Sequence, residues 1–324
     1  MQLLFVATPV LVIFTLFSFP ALGEKKDLMS LSVDFNETSD NFDRRTAAFD
    51  YRSQRRELFW PWVEAATSRW DWGMKLAHVD GTVDVGDFSG QIVEGMIGGR
   101  PTPASYIEAR LGRHRLNSDV SHGADSTLSY SLAASWKIVP SFSVYAQTAD
   151  DFIYHHSLQS KAISDALTAE TSVLRLQWRP RPDIRLGAGA SRAEFSDSNV
   201  KRQYNFSALY GISPGWPWIW AGVAMETLSY DEEIDGYWSP SDFDAYGLQF
   251  ESSFPINDRL SAVASATLNR NKENNQSWET GGHITIGTDY VISGKYHLRF
   301  NFNKLRSPTW SENTFKLSLS GPLL

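Results

Sequence analysis

The sequence of 324 residues contains no cysteine. That excludes disulfides, thiolate catalysis, cysteine-based zinc sites and a lipid anchor on an N-terminal cysteine. It fits a chain exported to an oxidising compartment, and many cytoplasmic chains lack cysteine too. Positive charge is not in excess either: 30 Lys and Arg face 37 Asp and Glu, a formal net charge of -7. No nucleic-acid partner is expected, because phosphate recognition wants a basic face. Long apolar runs are also missing, with one exception. Residues 3–19, LLFVATPVLVIFTLFSF, form that run, and it falls short of the ~20 residues that cross a bilayer comfortably as a helix. Pro20-Ala21-Leu22-Gly23 then leads into Glu24-Lys25-Lys26. Ala-x-Gly before a charged stretch has the form of a signal-peptidase site. Residues 1–23 therefore read as a signal peptide and residues 24–324 as the mature domain. Met1-Gln2 lacks the usual Lys or Arg, and the other reading of the run is an uncleaved anchor.

What the mature chain does have is alternation. Leu174, Leu176 and Trp178 oppose Arg175, Gln177 and Arg179; Leu298, Phe300 and Phe302 oppose Arg299, Asn301 and Asn303; Phe315, Leu317 and Leu319 oppose Lys316, Ser318 and Ser320. A period of two is a strand signature, because successive side chains leave opposite faces of a pleated backbone. About sixteen such strands follow one another. They start near Leu28, Asp43, Trp70, Phe88, Ala104, Thr127, Ser141, Thr171, Asp183, Lys201, Trp218, Phe243, Leu260, Ser277, Tyr296 and Asn313. Many approach ten residues, the length that crosses a membrane when tilted and longer than the usual globular strand.

The links add a direction. Val139-Pro140-Ser141, Arg179-Pro180-Arg181-Pro182-Asp183, Ser213-Pro214-Gly215, Pro255-Ile256-Asn257-Asp258 and Ile292-Ser293-Gly294 are tight. Between them lie longer, more polar links at Ala149–Glu170, Ser229–Asp242 and Asn269–Ser277. Short turns on one side and long loops on the other describe an outer-membrane barrel whose short side is periplasmic. Trp70, Trp72, Trp136, Trp178, Trp216 and Trp218 fall at the short-turn ends, where an amphipathic ring suits a membrane interface. A soluble β-sandwich with core tryptophans would not cluster them at one end. Two stretches break the alternation. Residues 55–69 are long for a turn, and their Trp60-Pro61-Trp62 could lie along the interface. Residues 157–170 carry helical spacing at Leu158, Ala162, Ile163, Ala166 and Leu167, a short helix in an outer loop folded toward the mouth.

The fold class expected is therefore all-β: a single transmembrane antiparallel barrel of about 16 strands, because lipid leaves no partner for an open sheet edge. A lumen of that size admits water. Parity turns Lys75, Arg110, Arg175, Arg179, Arg185, Glu251, Arg299 and Lys316 inward, mostly basic, as lumen or ligand-contact candidates or as the ordinary solvation of a wet interior. The acidic residues Asp150, Asp151, Asp231, Glu232, Glu233 and Asp235 gather in expected loops. Catalysis finds little support. His155-His156-Ser157 offers a base and a hydroxyl, but neighbours in an extended chain point apart, and two adjacent histidines without a third ligand do not define a metal site. No catalytic residue, metal or cofactor is assigned, and no glycine-rich phosphate loop follows a strand.

Two stretches carry a resemblance. Residues 156–195, HSLQSKAISDALTAETSVLRLQW then RPRPDIRLGAGASRAEF, and the loop YDEEIDGYWSPSDFDAY at 230–246 resemble the C-terminal barrels of exopolysaccharide export proteins, such as the poly-N-acetylglucosamine export porin and the cellulose-export outer-membrane subunit. The resemblance is sharp over residues 140–254. It implies a sixteen-stranded barrel with a Gly-Tyr-aromatic-Ser/Asn-Pro loop and a polar lumen through which a secreted polysaccharide leaves. In this sequence that loop offers Asp235, Gly236, Tyr237, Trp238 and Pro240 as constriction candidates. Those proteins precede the barrel with a long array of helical repeats. Here no repeat of about 34 residues is visible, so a separate periplasmic helical-repeat protein is the partner the resemblance suggests, beside outer-membrane lipid. The expected role is passive transport without catalysis. The alternatives are a general or small-solute porin, a lipid-modifying barrel enzyme and an adhesive barrel.

Overall fold

The computed structural model describes residues 28–322 apart from 40, 54–55, 61–62, 67–69, 85, 120–123, 154–159, 216, 294 and 308–309. The expected signal peptide, Trp216 and the His155-His156-Ser157 group lie outside the described residues.

Alternation of side chains becomes a sheet only when each strand finds two neighbours. Every long strand here does. β1 (Leu28–Thr38) and β2 (Asp43–Arg52) form the first hairpin, and β3 (Arg56–Trp60) and β4 (Val63–Ala66) a small separate one. β5 (Trp70–Val83), β6 (Gly86–Gly99), β7 (Ser105–Ser118), β8 (Ala124–Val139) and β9 (Phe142–Phe152) follow. After the helix α1 (Ser160–Ser164) come β10 (Thr168–Arg181), β11 (Ile184–Phe195), β12 (Val200–Ser213), β13 (Trp218–Tyr230) and β14 (Phe243–Asn257). β15 (Leu260–Glu273), β16 (Glu279–Val291), β17 (His297–Arg306) and β18 (Ser311–Pro322) complete the chain. All but β3 and β4 join one closed antiparallel barrel, each strand paired with its sequence neighbours and β1 with β18. With β3 and β4 set apart, the barrel has sixteen strands, and Leu28 opposite Pro322 puts the start of β1 and the end of β18 at the same rim, here the terminal rim.

The closing seam shows why the two faces differ. Leu31↔Leu319, Val33↔Leu317 and Phe35↔Phe315 stack outward, while Asp34↔Lys316 and Asn36↔Thr314 turn inward. The same rule runs round the ring. Leu111, Leu132, Val223, Leu248, Leu268 and Ile284 are large, apolar and exposed on the outer wall. That belt suits hydrocarbon and would be costly in water, so the wall is a transmembrane one. No helix among the described residues is long and apolar enough to cross a membrane; the strands do the crossing. Trp70, Trp72, Trp136 and Trp178 stand out from the wall near the terminal rim, as an interfacial girdle requires.

Several expectations change in detail. The links at the terminal rim are short, such as Pro140-Ser141, Pro182-Asp183 and Asp258-Arg259, apart from residues 53–69 between β2 and β5. At Asp258 the turn is set locally: Asn257 Oδ1 accepts from the amides of Arg259 at 2.9 Å and Leu260 at 3.0 Å. At the other rim only two links are long, 153–167 and 231–242. The expected long link at Asn269–Ser277 shrinks to residues 274–278, because β15 continues to Glu273 with Asn274 turning at φ 49°. Asp150 and Asp151 likewise belong to β9 and not to a loop. Residues 55–69 hold the β3–β4 hairpin, and Trp62 lies outside the described residues.

Candidate lumen and mouth

Parity fixes which side chains can meet inside. Arg185 on β11 pairs with Glu251 on β14 although β12 and β13 lie between them. Arg52 on β2 reaches Glu108 on β7 at 3.1 Å, past β5 and β6. Such pairs form only across the interior. The eight candidates from the sequence all share that inward parity. Lys75 stands 4.0 Å from Glu94, Arg110 2.7 Å from Glu108, and Arg299 3.0 Å from Asp289. Arg175 lies 5.9 Å above the Tyr145 ring; Arg179 and Arg185 lie 5.9 and 5.0 Å from the Trp220 ring. Lys316 is exposed on β18 beside Asp34 and Asn301 in register.

The interior is less basic than the sequence suggests. Asp71, Glu94, Glu108, Glu251 and Asp289 also face inward and pair with Arg52, Lys75, Arg110, Arg185 and Arg299. Glu108 is the hub of one group: Tyr106 Oη donates to its Oε2 at 2.7 Å and Arg110 Nε to its Oε1 at 2.7 Å. His114 on β7 contacts Glu94 and, across β8, Asp151. Burying ions without partners costs several kcal/mol, so pairing is what allows charge at these depths. Trp218 and Trp220 share the inward parity of Glu251's partners, with Trp220 buried against the two guanidiniums. Trp218 is therefore not part of the outward girdle.

Toward the long-loop rim the interior turns apolar. Ala77, Val79 and Val83 of β5, Phe88 and Ile92 of β6, and Leu116 of β7 form one cluster with Phe152 and Ile163. Leu228 and Tyr230 of β13, with Phe243 and Ala245 of β14, form a second with Ile153, Ala162 and Leu167. β5 and β13 are eight strands apart in a ring of sixteen, directly opposite. The link between β9 and β10 therefore reaches both walls. Adjacent residues of α1 serve the two sides: Ala162 and Ile163 are each 0% exposed. Burying Ile163 alone is worth roughly 1.5–3 kcal/mol. The expected short helix is present, and it bridges the mouth.

The second long loop braces this bridge. Gly236 takes φ 98°, a conformation that L side chains resist. Tyr237 and Trp238 beside it are buried in the β13–β14 cluster, while Asp235 is exposed and Pro240 buried. Tyr237 Oη donates to Asp197 Oδ2 at 3.0 Å and accepts from Asn199 Nδ2 at 2.9 Å. Burial pushes the Tyr237 hydroxyl well above its ordinary pKa, which keeps it a donor. Trp238 Nε1 donates to Glu273 Oε2 at 3.2 Å, and its ring meets Phe243 edge-on at 5.3 Å. Among the described residues no three His, Asp or Glu side chains gather as a metal site.

No family model matches the chain, and no curated protein matches it. Solved structures do. One described as a bacterial polysaccharide outer membrane secretin superposes with a TM-score of 0.70 at 10% identity, over 92% of this chain and 99% of that one. The chain has the fold of that barrel. OccK7 (OpdD) from Pseudomonas aeruginosa follows at a TM-score of 0.50 and 10% identity, over 94% of this chain and 99% of that one. CdiB from Acinetobacter baumannii gives 0.52 at 9% identity, over 91% of this chain and 60% of that one. At such identities the likeness is one of fold: a barrel of the bacterial outer-membrane type.

Proposed function

We propose that the chain is an outer-membrane conduit for a secreted polysaccharide, shut at its outer mouth by the link between β9 and β10. The observation that carries this reading is the change of interior with depth. A polar, ion-paired lumen runs from the terminal rim and ends under an apolar bridge joined to opposite walls. A permanently sealed barrel has no need of a wet interior, and an open pore has no need of the bridge. The terminal rim with its short turns faces the periplasm and the long loops face outward, in the usual orientation of such barrels. Lipid covers the apolar belt. A polymer of sugars would pass the inward hydroxyl and amide side chains without bond making or breaking, delivered by a separate periplasmic helical-repeat protein. The shared fold with a barrel described as a bacterial polysaccharide outer membrane secretin supports this reading.

A small-solute porin is the second reading, favoured by the shared fold with OccK7 (OpdD). Deleting the gene separates the two. The export reading expects polymer to accumulate in the periplasm and vanish from the medium, with rescue by the full chain. Normal secretion in the deletion strain, together with loss of uptake of a small solute, would favour the porin.

A further inference from the structure

The inward face of β10 reads Arg175, Gln177, Arg179 toward the terminal rim. All three carry donors in search of acceptors. Arg52, Lys75, Arg110, Arg185 and Arg299 each hold a carboxylate. Arg175 and Arg179 hold none among the described residues; they rest on the faces of Tyr145 and Trp220 instead. Gln177 between them is 5% exposed, and its Nε2 has no hydrogen-bond partner. Buried donors are usually satisfied by protein or by ordered water, and a ligand's oxygen would satisfy this one. The one carboxylate set against the group, Glu251, is already engaged by Arg185 and by Gln249 Nε2 at 2.7 Å.

The neighbouring strand sets no side chain of its own beside two of these donors. Gly187 faces Gln177 and Gly189 faces Arg175 in register, so β11 adds no side chain there. Ser207 Oγ and the Asn205 amide lean over the two glycines, at 2.7 Å from where a Cβ would stand. A guanidinium set over an aromatic ring keeps N–H groups available for an oxyanion. The hydroxyl and amide alongside suit sugar hydroxyls. Among the described residues Lys316 makes no ion pair either, but it faces Asp34 of β1 in register and lies eight strands round the ring.

We propose that Arg175, Gln177, Arg179 and the Trp220 ring form an oxyanion-binding station just inside the terminal rim, which takes the acidic substituent of a sugar chain on its way into the lumen. This rests on the conduit reading for its source of sugar but is tested without transport. The full chain, folded in detergent, is titrated calorimetrically with a glucuronate-containing oligosaccharide, the matching neutral glucose oligosaccharide and glucuronate monomer. The acidic chain should bind at least about tenfold tighter than the neutral one, and Arg175→Gln with Arg179→Gln should lose about tenfold or more, as expected for lost charge-assisted bonds. Arg259→Gln, in the turn after β14 at the same rim, should change nothing. Equal binding of neutral and acidic chains, or an unchanged double variant, overturns the proposal. Monomer binding as tight as the oligosaccharide supports the oxyanion site and overturns a sugar chain as its source, leaving a small anionic solute. Should the double variant fail to fold, salt decides on the wild-type chain: affinity that falls steeply as salt is added supports the station, and salt-independent binding overturns it.

Discussion

Arginine in place of Leu111 should cost the folded barrel about 2–4 kcal/mol, the penalty for a charge on the lipid face near mid-depth. Leu111 sits at the middle of β7 with its side chain on the outer wall, 58% exposed. Its neighbour Arg110 already carries a charge in the chain but points inward to Glu108. One residue of register separates a tolerated charge from a costly one. Thr267→Arg, at the middle of β15 and on the inner face, is the companion variant. It should cost less than about 1 kcal/mol, because its guanidinium stays in the wet lumen. Urea titration of the barrels folded into lipid vesicles measures both. Similar costs at the two positions would mean that the wall has no lipid face.

Aspartate in place of Ile163 should open the mouth. Ile163 is fully buried in the cluster built by β5, β6 and β7, and Ala162 and Leu167 anchor the same link to β13 and β14. A carboxylate in that cluster has no partner and costs several kcal/mol to bury. A shift of that size turns a closed population into an open one by about 100-fold or more. Single-channel recording in planar bilayers should therefore show rare openings in the wild-type chain and long ones in the variant, with heat-modifiable gel mobility unchanged. Ile163→Val removes one methylene, costs about 0.5–1.5 kcal/mol, and should raise open probability only modestly. Identical traces for all three would leave the bridge no part in closure.

The strands were legible because a membrane barrel exaggerates alternation. Lipid on one side and water on the other leave little tolerance for a misplaced side chain, and each expected strand start falls within three residues of the observed one. The inward cations were legible for the same reason. Their acidic partners were missed although the same signal marks them. Glu94 stands opposite Lys75 and Glu108 two residues before Arg110, so parity applied to every charge would have found both. The bridge was only half legible. The spacing of Ala162, Ile163 and Leu167 announces a short helix, but its two destinations lie on strands that sequence distance does not bring together. The buried state of Tyr237 and Trp238 was hidden likewise, since a Gly-Tyr-Trp-Ser-Pro loop reads equally as a packed brace or an open aromatic surface. Trp218 misled because a tryptophan at a strand end suits either face, and only its register with Ser253 assigns it inward.

Passage of a polymer through the lumen can be measured as flux out of proteoliposomes. Vesicles carrying the Ile163→Asp barrel would be loaded with a labelled linear polysaccharide and a labelled small sugar. Export predicts that both leave through the variant and that both are retained by vesicles without protein. Escape of the small sugar with full retention of the polysaccharide would contradict the account and identify the barrel as a small-solute pore.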